Sequence, residues 1–264
     1  MSVTEATVIP AAAHLELVAV EVARLAAAFV LEHADRATAL RTKSTPTDVV
    51  TETDLASESL IRQELQARCP GSTIVGEEYA DTVGSNEIGW IVDPIDGTVN
   101  FLYGLPVVSV SIAASLNGEI VAGAVADTRS GQVYSARLGG GARLEDSELA
   151  VSTPAGLSTA LIGTGFAYDA AIRSEQAQVL TELLPTCRDI RCMGSAALNL
   201  CFVAAGLLDG YFERDIKLYD YAAGALIAAE AGAVVQVRNE ESDLTWAAPP
   251  AIAPDFRELI GATE

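Results

Sequence analysis

Hydrophobic and polar positions divide the chain into two regimes. Over residues 14–37 apolar residues recur at helical spacing among Ala, Leu and Glu, which predicts a long amphipathic helix. Residues 41–50 are polar around Pro46 and read as a loop. Periodicity resumes over 53–68, with Asp54 in the first turn and Pro70-Gly71 beyond the end, predicting a second helix. Short apolar runs at 72–76 and 90–92 read as strands, joined by a polar link. Residues 107–116 are β-branched, Asn117-Gly118 is a hairpin signal, and 119–126 and 132–136 continue a meander. The first half therefore predicts two helices on an antiparallel sheet.

Gly139-Gly140-Gly141 and the polar residues up to Pro154 mark a change of pattern. Strands are expected beyond it at 160–163, 188–192, 210–213 and 233–237. They alternate with helices at 168–184, 195–206 and 220–231, and a short helix at 255–260 follows. Residues 239–250 are acidic, contain proline and fit no element. The expectation is one compact α/β (α+β) unit with an N-terminal half, 1–145, and a C-terminal half, 146–264.

Charge narrows the function. Against 36 acidic residues stand 16 basic ones, a net charge of −20. A chain with no cationic excess is not expected to bind nucleic acid directly; it can bind an anion if cations bridge the two. The two histidines, His14 and His33, both fall in the first helical segment. A Ser-His-Asp hydrolase or a His-ligated zinc enzyme has no material to work with. The four cysteines show no C-x-x-C spacing, which predicts reduced thiols in a cytoplasmic protein. No secretory leader and no membrane span are expected.

What remains is carboxylate chemistry, centred on Trp90-Ile91-Val92-Asp93-Pro94-Ile95-Asp96-Gly97-Thr98-Val99-Asn100-Phe101. A buried strand runs into two acids around a proline, which pins the turn, and then into a glycine and a threonine whose backbone can approach an anion. Glu77 closes the 72–76 strand as Asp93 closes its own; if the strands are neighbours, both acids leave one sheet edge. Asp54 and Asp220 stand at helix starts, where either could equally serve as a cap. Gly194-Ser195-Ala196 precedes a helix and offers unhindered N–H groups. Glu213 ends its strand and could equally be a surface acid. Clustered carboxylates repel and are held together by cations, and oxygen-only ligands select Mg²⁺ or Mn²⁺.

These motifs, with Gly76-Glu77-Glu78, Asp220-Tyr221-Ala222-Ala223-Gly224, Lys43-Ser44-Thr45-Pro46-Thr47-Asp48 and Gly194-Ser195-Ala196-Ala197-Leu198-Asn199-Leu200, resemble those of the inositol monophosphatase family, in particular its bacterial members, over residues 14–260. The family belongs to the lithium-sensitive, magnesium-dependent phosphatases. The resemblance implies a layered α-β-α-β-α sandwich of the inositol monophosphatase/fructose-1,6-bisphosphatase type, and a homodimer. It places Glu77, Asp93, the Ile95 carbonyl, Asp96 and Asp220 around two or three Mg²⁺ ions. Thr98 and Asp54, with Glu77, would activate the attacking water. Asp96, Gly97, Thr98 and Asp220 would meet the substrate, with Gly194, Ala196 and Glu213 on its ring side and Lys43 near the metals. Tyr219 stands where the family commonly has tryptophan.

The resemblance implies hydrolysis of a phosphorylated polyol, first of all myo-inositol 1-phosphate. Histidinol phosphate, fructose 1,6-bisphosphate and 3′-phosphoadenosine 5′-phosphate are rival substrates for the same metal site. A regulatory role, binding a protein partner, is the alternative of a different class.

Overall fold

The computed structural model describes residues 5–36, 38–240 and 242–261. Ala37, where the first predicted helix was to end, and the outermost residues of the two predicted halves lie outside them.

The first helix, α1 (Glu5–Glu32), begins earlier than its periodicity predicted. The polar stretch after it is not a plain loop: β1 (Ala39–Thr42) and β2 (Val49–Thr51) pair antiparallel and carry the 43–48 segment at their tip. Thr51 then caps α2 (Glu52–Arg68). Next come β3 (Thr73–Gly76), β4 (Ile88–Asp96), the short α3 (Thr98–Tyr103), β5 (Ser109–Leu116), β6 (Glu119–Asp127) and β7 (Val133–Arg137). Two small strands, β8 (Ala142–Leu144) and β9 (Ser147–Glu148), complete a seven-stranded sheet ordered β3-β4-β5-β6-β7-β8-β9.

The meander is antiparallel as expected, but β3 pairs parallel with β4. Gly76 lies opposite Val92, so Glu77 and Asp93 leave the sheet side by side. The turn expected at Pro94 is absent; β4 runs on to Asp96. Proline has no N–H for the ladder, and the β4–β5 register slips between Asp93 and Asp96. Such a bulge re-aims the side chains beside it.

The remaining elements are β10 (Leu161–Thr164), α4 (Ala170–Leu183), β11 (Asp189–Cys192), α5 (Ala196–Ala204), β12 (Gly210–Arg214), α6 (Leu218–Glu230), β13 (Val234–Gln236), β14 (Leu244–Ala248) and α7 (Ala253–Leu259). The segment that fitted no element contains β14, which lies between β12 and β13 in a five-stranded sheet.

Five layers result, with an apolar core at each of four seams. Helices α1 and α2 cover one face of the large sheet through Leu15, Val22, Ile61, Leu65, Trp90 and Ile112. Helices α5 and α6 cover its other face through Leu198, Ala223 and Ile227. Their far sides meet the second sheet through Leu200, Tyr211 and Ala228. Helices α4 and α7 close the stack over Ile162, Trp246 and Phe256. This is the expected α-β-α-β-α sandwich. Among the described residues no helix is long and apolar enough to cross a membrane, and all four cysteines are free.

Candidate active site

The ends of β3, β4 and β12 and the starts of α3, α5 and α6 converge on a cleft of about 840 Å³. It is lined by every site residue expected from the sequence except Asp54: Lys43, Glu77, Asp93, Ile95, Asp96, Gly97, Thr98, Gly194, Ala196, Glu213 and Asp220. Asp54 is fully buried behind Thr98.

Neither helix-start acid is an N-cap. Asp54 occupies the third position of α2, where its carboxylate accepts from the Thr51 N–H at 2.9 Å and from the Thr51 hydroxyl. Asp220 accepts from the Lys217 N–H at the start of α6. Each carboxylate thus satisfies an orphan donor of its helix while staying near the cleft. The other oxygen of Asp54 accepts from the Thr98 hydroxyl at 3.1 Å. That hydroxyl also lies 3.0 Å from the Ile95 carbonyl. One hydroxyl proton serves only one acceptor at a time, and the lone pairs of Thr98 Oγ1 remain able to accept.

The N–H groups at the start of α5, expected to be unhindered, are given to the protein's own acid. Ala196 and Ala197 N–H donate to Asp96 at 3.1 and 2.8 Å, and the Ser195 and Ser109 hydroxyls add bonds at 2.5 and 3.2 Å. Asp96 therefore ties the large sheet to the second half. Beside it Gly97 adopts φ +96°, and a Cβ there would lie 2.9 Å from the Val107 carbonyl oxygen and 3.0 Å from that of Gly194. Only glycine fits this crossing.

The electrostatics record how costly the arrangement is. Asp93 is pushed well above the usual carboxylate range, first by burial and then by the charges of Glu77, Asp96 and Asp220. Asp220 is raised likewise, by burial and by Glu77. Asp96 is raised by burial, although its hydrogen bonds oppose the shift. Burial pushes Glu77 up to about 7 against the pull of Lys43, which pairs with it at 2.6 Å. Burial lowers Lys43, but Glu77 and Glu78 outweigh that and leave it raised. Glu78 pairs with the same ammonium at 2.6 Å. Glu213 is raised to about 7 by burial and by Asp96, despite the Tyr211 hydroxyl bonded to it at 2.7 Å.

The acids stand around the cleft without closing on one point. Among the described residues no three His, Cys, Asp or Glu side chains form a single ligand cluster. The donor set is nevertheless that of a hard divalent cation: carboxylates and a backbone carbonyl, whose mutual repulsion a cation would relieve. The residues present fit Mg²⁺ and do not suit zinc.

Sequence reasoning missed several residues of the cleft. Phe166, Tyr168, Cys192 and Lys217 line it, and Ser109 and Ser195 fix Asp96. Ser195 stood inside a noted motif; Tyr168 and Ser109 carried no local signal.

The profile of the inositol monophosphatase family matches residues 12–262. The chain belongs to that family. It is 48% identical over 229 residues to an inositol-1-monophosphatase of Mycobacterium leprae, covering 81% of this chain and 79% of the relative. A protein of Pasteurella multocida named Nus factor SuhB is 40% identical over 222 residues, covering 83% of each chain. Among solved structures, Mycobacterium tuberculosis SuhB superposes with a TM-score of 0.82 at 43% identity, covering 94% of this chain and 96% of that one. The family is one of phosphatases, and its fold is the layered sandwich described above.

Proposed function

We propose that this family member is a Mg²⁺-dependent phosphomonoesterase whose substrate is a phosphorylated polyol, first of all myo-inositol 1-phosphate. The observation that carries the reading is the convergence of Glu77, Asp93, Asp96 and Asp220 on one cleft beside the Thr98–Asp54 pair. Glu77, Asp93, the Ile95 carbonyl, Asp96 and Asp220 would hold two or three ions, with Mn²⁺ a possible substitute. When bound, Mg²⁺ would lower the pKa of a water and neutralise charge on the phosphoryl oxygens.

The chain's own groups supply the rest. Thr98 Oγ1 accepts from the attacking water and passes proton density towards Asp54, whose buried carboxylate is raised by burial and is therefore a better base than an ordinary one. Gly97 and Thr98 N–H groups hold the phosphate. Lys43 remains paired with Glu77 and Glu78 near the ions. Gly194, Ala196 and Glu213 meet the polyol, where the Glu213 carboxylate accepts from ring hydroxyls. The reaction runs without a phosphoenzyme, by direct attack of water. Lithium inhibition, a homodimer and a cytoplasmic location complete this reading.

Phosphate release measured across inositol, histidinol, fructose and nucleotide phosphates, with and without Mg²⁺, tests it. Mg²⁺-dependent release from the inositol ester above the others is expected; release without Mg²⁺ would overturn the mechanism.

A second reading is supported by the relative named Nus factor SuhB and by the −20 charge: a regulatory role, binding a basic protein partner. A lysate pull-down with the chain, with and without Mg²⁺, separates it from catalysis.

A further inference from the structure

Helix α2 carries a carboxylate that does not line the cleft. Glu58 is fully buried, and a charge so placed must be paired. Arg62, one turn along, donates its Nε to Glu58 at 2.8 Å. The other partners are backbone donors just after β3: the N–H groups of Glu78 at 2.7 Å and Tyr79 at 3.3 Å. Arg62 extends the grip, donating to the Thr82 hydroxyl at 3.0 Å and the Tyr79 carbonyl at 3.3 Å. Its guanidinium also lies 5.9 Å from the Tyr79 ring centre. At Gly76 a Cβ would stand 2.1 Å from Glu58 Oε1 and 2.8 Å from Arg62 Nη2. The ion pair is pressed against the backbone on that side as well.

Glu77 lies between these two fixed points. Its own side chain faces the cleft, where it meets Lys43 and the charges of Asp93 and Asp220. An acid kept beside like charges needs its backbone held in place. Two N–H groups converging on one buried carboxylate fix the orientation of the peptide planes that follow Glu77.

We infer that the Glu58–Arg62 pair is a positioning device for Glu77, setting the affinity for divalent cation without touching cation or substrate. The inference rests on the metal site proposed above. Outer partners that orient a metal ligand are worth about 10–100-fold in metal affinity.

The test is Mg²⁺ titration of the full chain by calorimetry, together with the Mg²⁺-induced rise in Tm. Glu58→Gln keeps the shape and removes the charge. It is expected to weaken Mg²⁺ binding about 10-fold or more, while KM for the phosphate ester at saturating Mg²⁺ stays within about twofold. Thr82→Val, which removes an outer anchor of Arg62, is expected to weaken binding less and in the same direction; it keeps the question open to test if Glu58→Gln misfolds. Leu65→Ala, a buried position on α2 outside this network, serves as the stability control and should lower Tm with Mg²⁺ affinity unchanged. Wild-type affinity in Glu58→Gln, or equal weakening in Leu65→Ala, overturns the inference alone. A wild-type chain that binds no Mg²⁺ overturns the metal site and this inference with it.

Discussion

Thr98, at the start of α3, donates its hydroxyl to Asp54, in the first turn of α2, at 3.1 Å and across 44 positions of sequence. Both are buried polar groups; the bond adds to the Thr51 donors that Asp54 accepts from and to the Ile95 carbonyl beside the Thr98 hydroxyl, so neither group is left unpaired. Together they link the helix that follows the β1–β2 hairpin to the end of β4, which carries Asp93 and Asp96.

If that bond carries the proton, Thr98→Val should lower kcat by about 10²–10⁴, with KM changed only a few-fold. Asp54→Asn should fall in the same direction. Steady-state kinetics with circular dichroism as a fold control decides the matter; a kcat within tenfold of wild type in both variants would remove the pair from the mechanism.

Asp93 is 2% exposed and faces three other acids. Asp93→Asn should abolish Mg²⁺-dependent phosphate release and yet leave the metal-free Tm equal or higher at about pH 8, because a buried charge facing like charges opposes folding. Differential scanning calorimetry in chelator measures this. A clear fall in metal-free Tm would contradict the electrostatic picture.

Asp96 should behave in the opposite way. It accepts from Ser109, Ser195, Ala196 and Ala197, so Asp96→Ala leaves the first N–H groups of α5 without acceptors. The expected cost is on the order of 2–3 kcal/mol, or a drop in Tm of roughly 5–10 °C. Equal melting of Asp96→Ala and Asp93→Asn in chelator would refute the distinction.

Glu213 makes stability depend on pH. Burial and the charge of Asp96 hold its carboxyl at about 7 in the folded chain, against about 4.3 when unfolded. Between those values the folded state keeps a proton that the unfolded state has lost. The contribution to stability is therefore fully present below the unfolded value and is lost as pH rises through about 7. In chelator, the wild type should lose on the order of 1–3 kcal/mol more than Glu213→Gln between about pH 5 and pH 8. Urea denaturation at both pH values reads the difference; parallel losses would show that Glu213 does not titrate in this range.

The residue chemistry was legible locally. Asn117-Gly118 turned the chain where its composition said it would, with both residues at positive φ, because that preference resides in two residues. The scarcity of histidine and the acids from Asp93 to Asp96 restricted the site to oxygen ligands, because ligand softness is a property of the side chains themselves. The family motifs then carried the layered fold.

Other features depended on partners distant in the chain. The 244–248 run became a fully buried strand because β12 and β13 flank it, and its own acidic surroundings hid that. Glu77 and Asp93 became neighbours through the parallel β3–β4 register, and parallel pairing leaves no turn signal between its strands. Ser195 and the first amides of α5, which the sequence left as unhindered donors, were claimed by Asp96 some 100 positions away. Glu58 carries no signal in its local sequence; tertiary packing alone buries it against the turn that carries Glu77. Sequence alone determined which chemistry was possible, since donors and charges are carried residue by residue. Tertiary structure decided which acids share a field and which donors are already taken, since both depend on distances that only the folded chain sets.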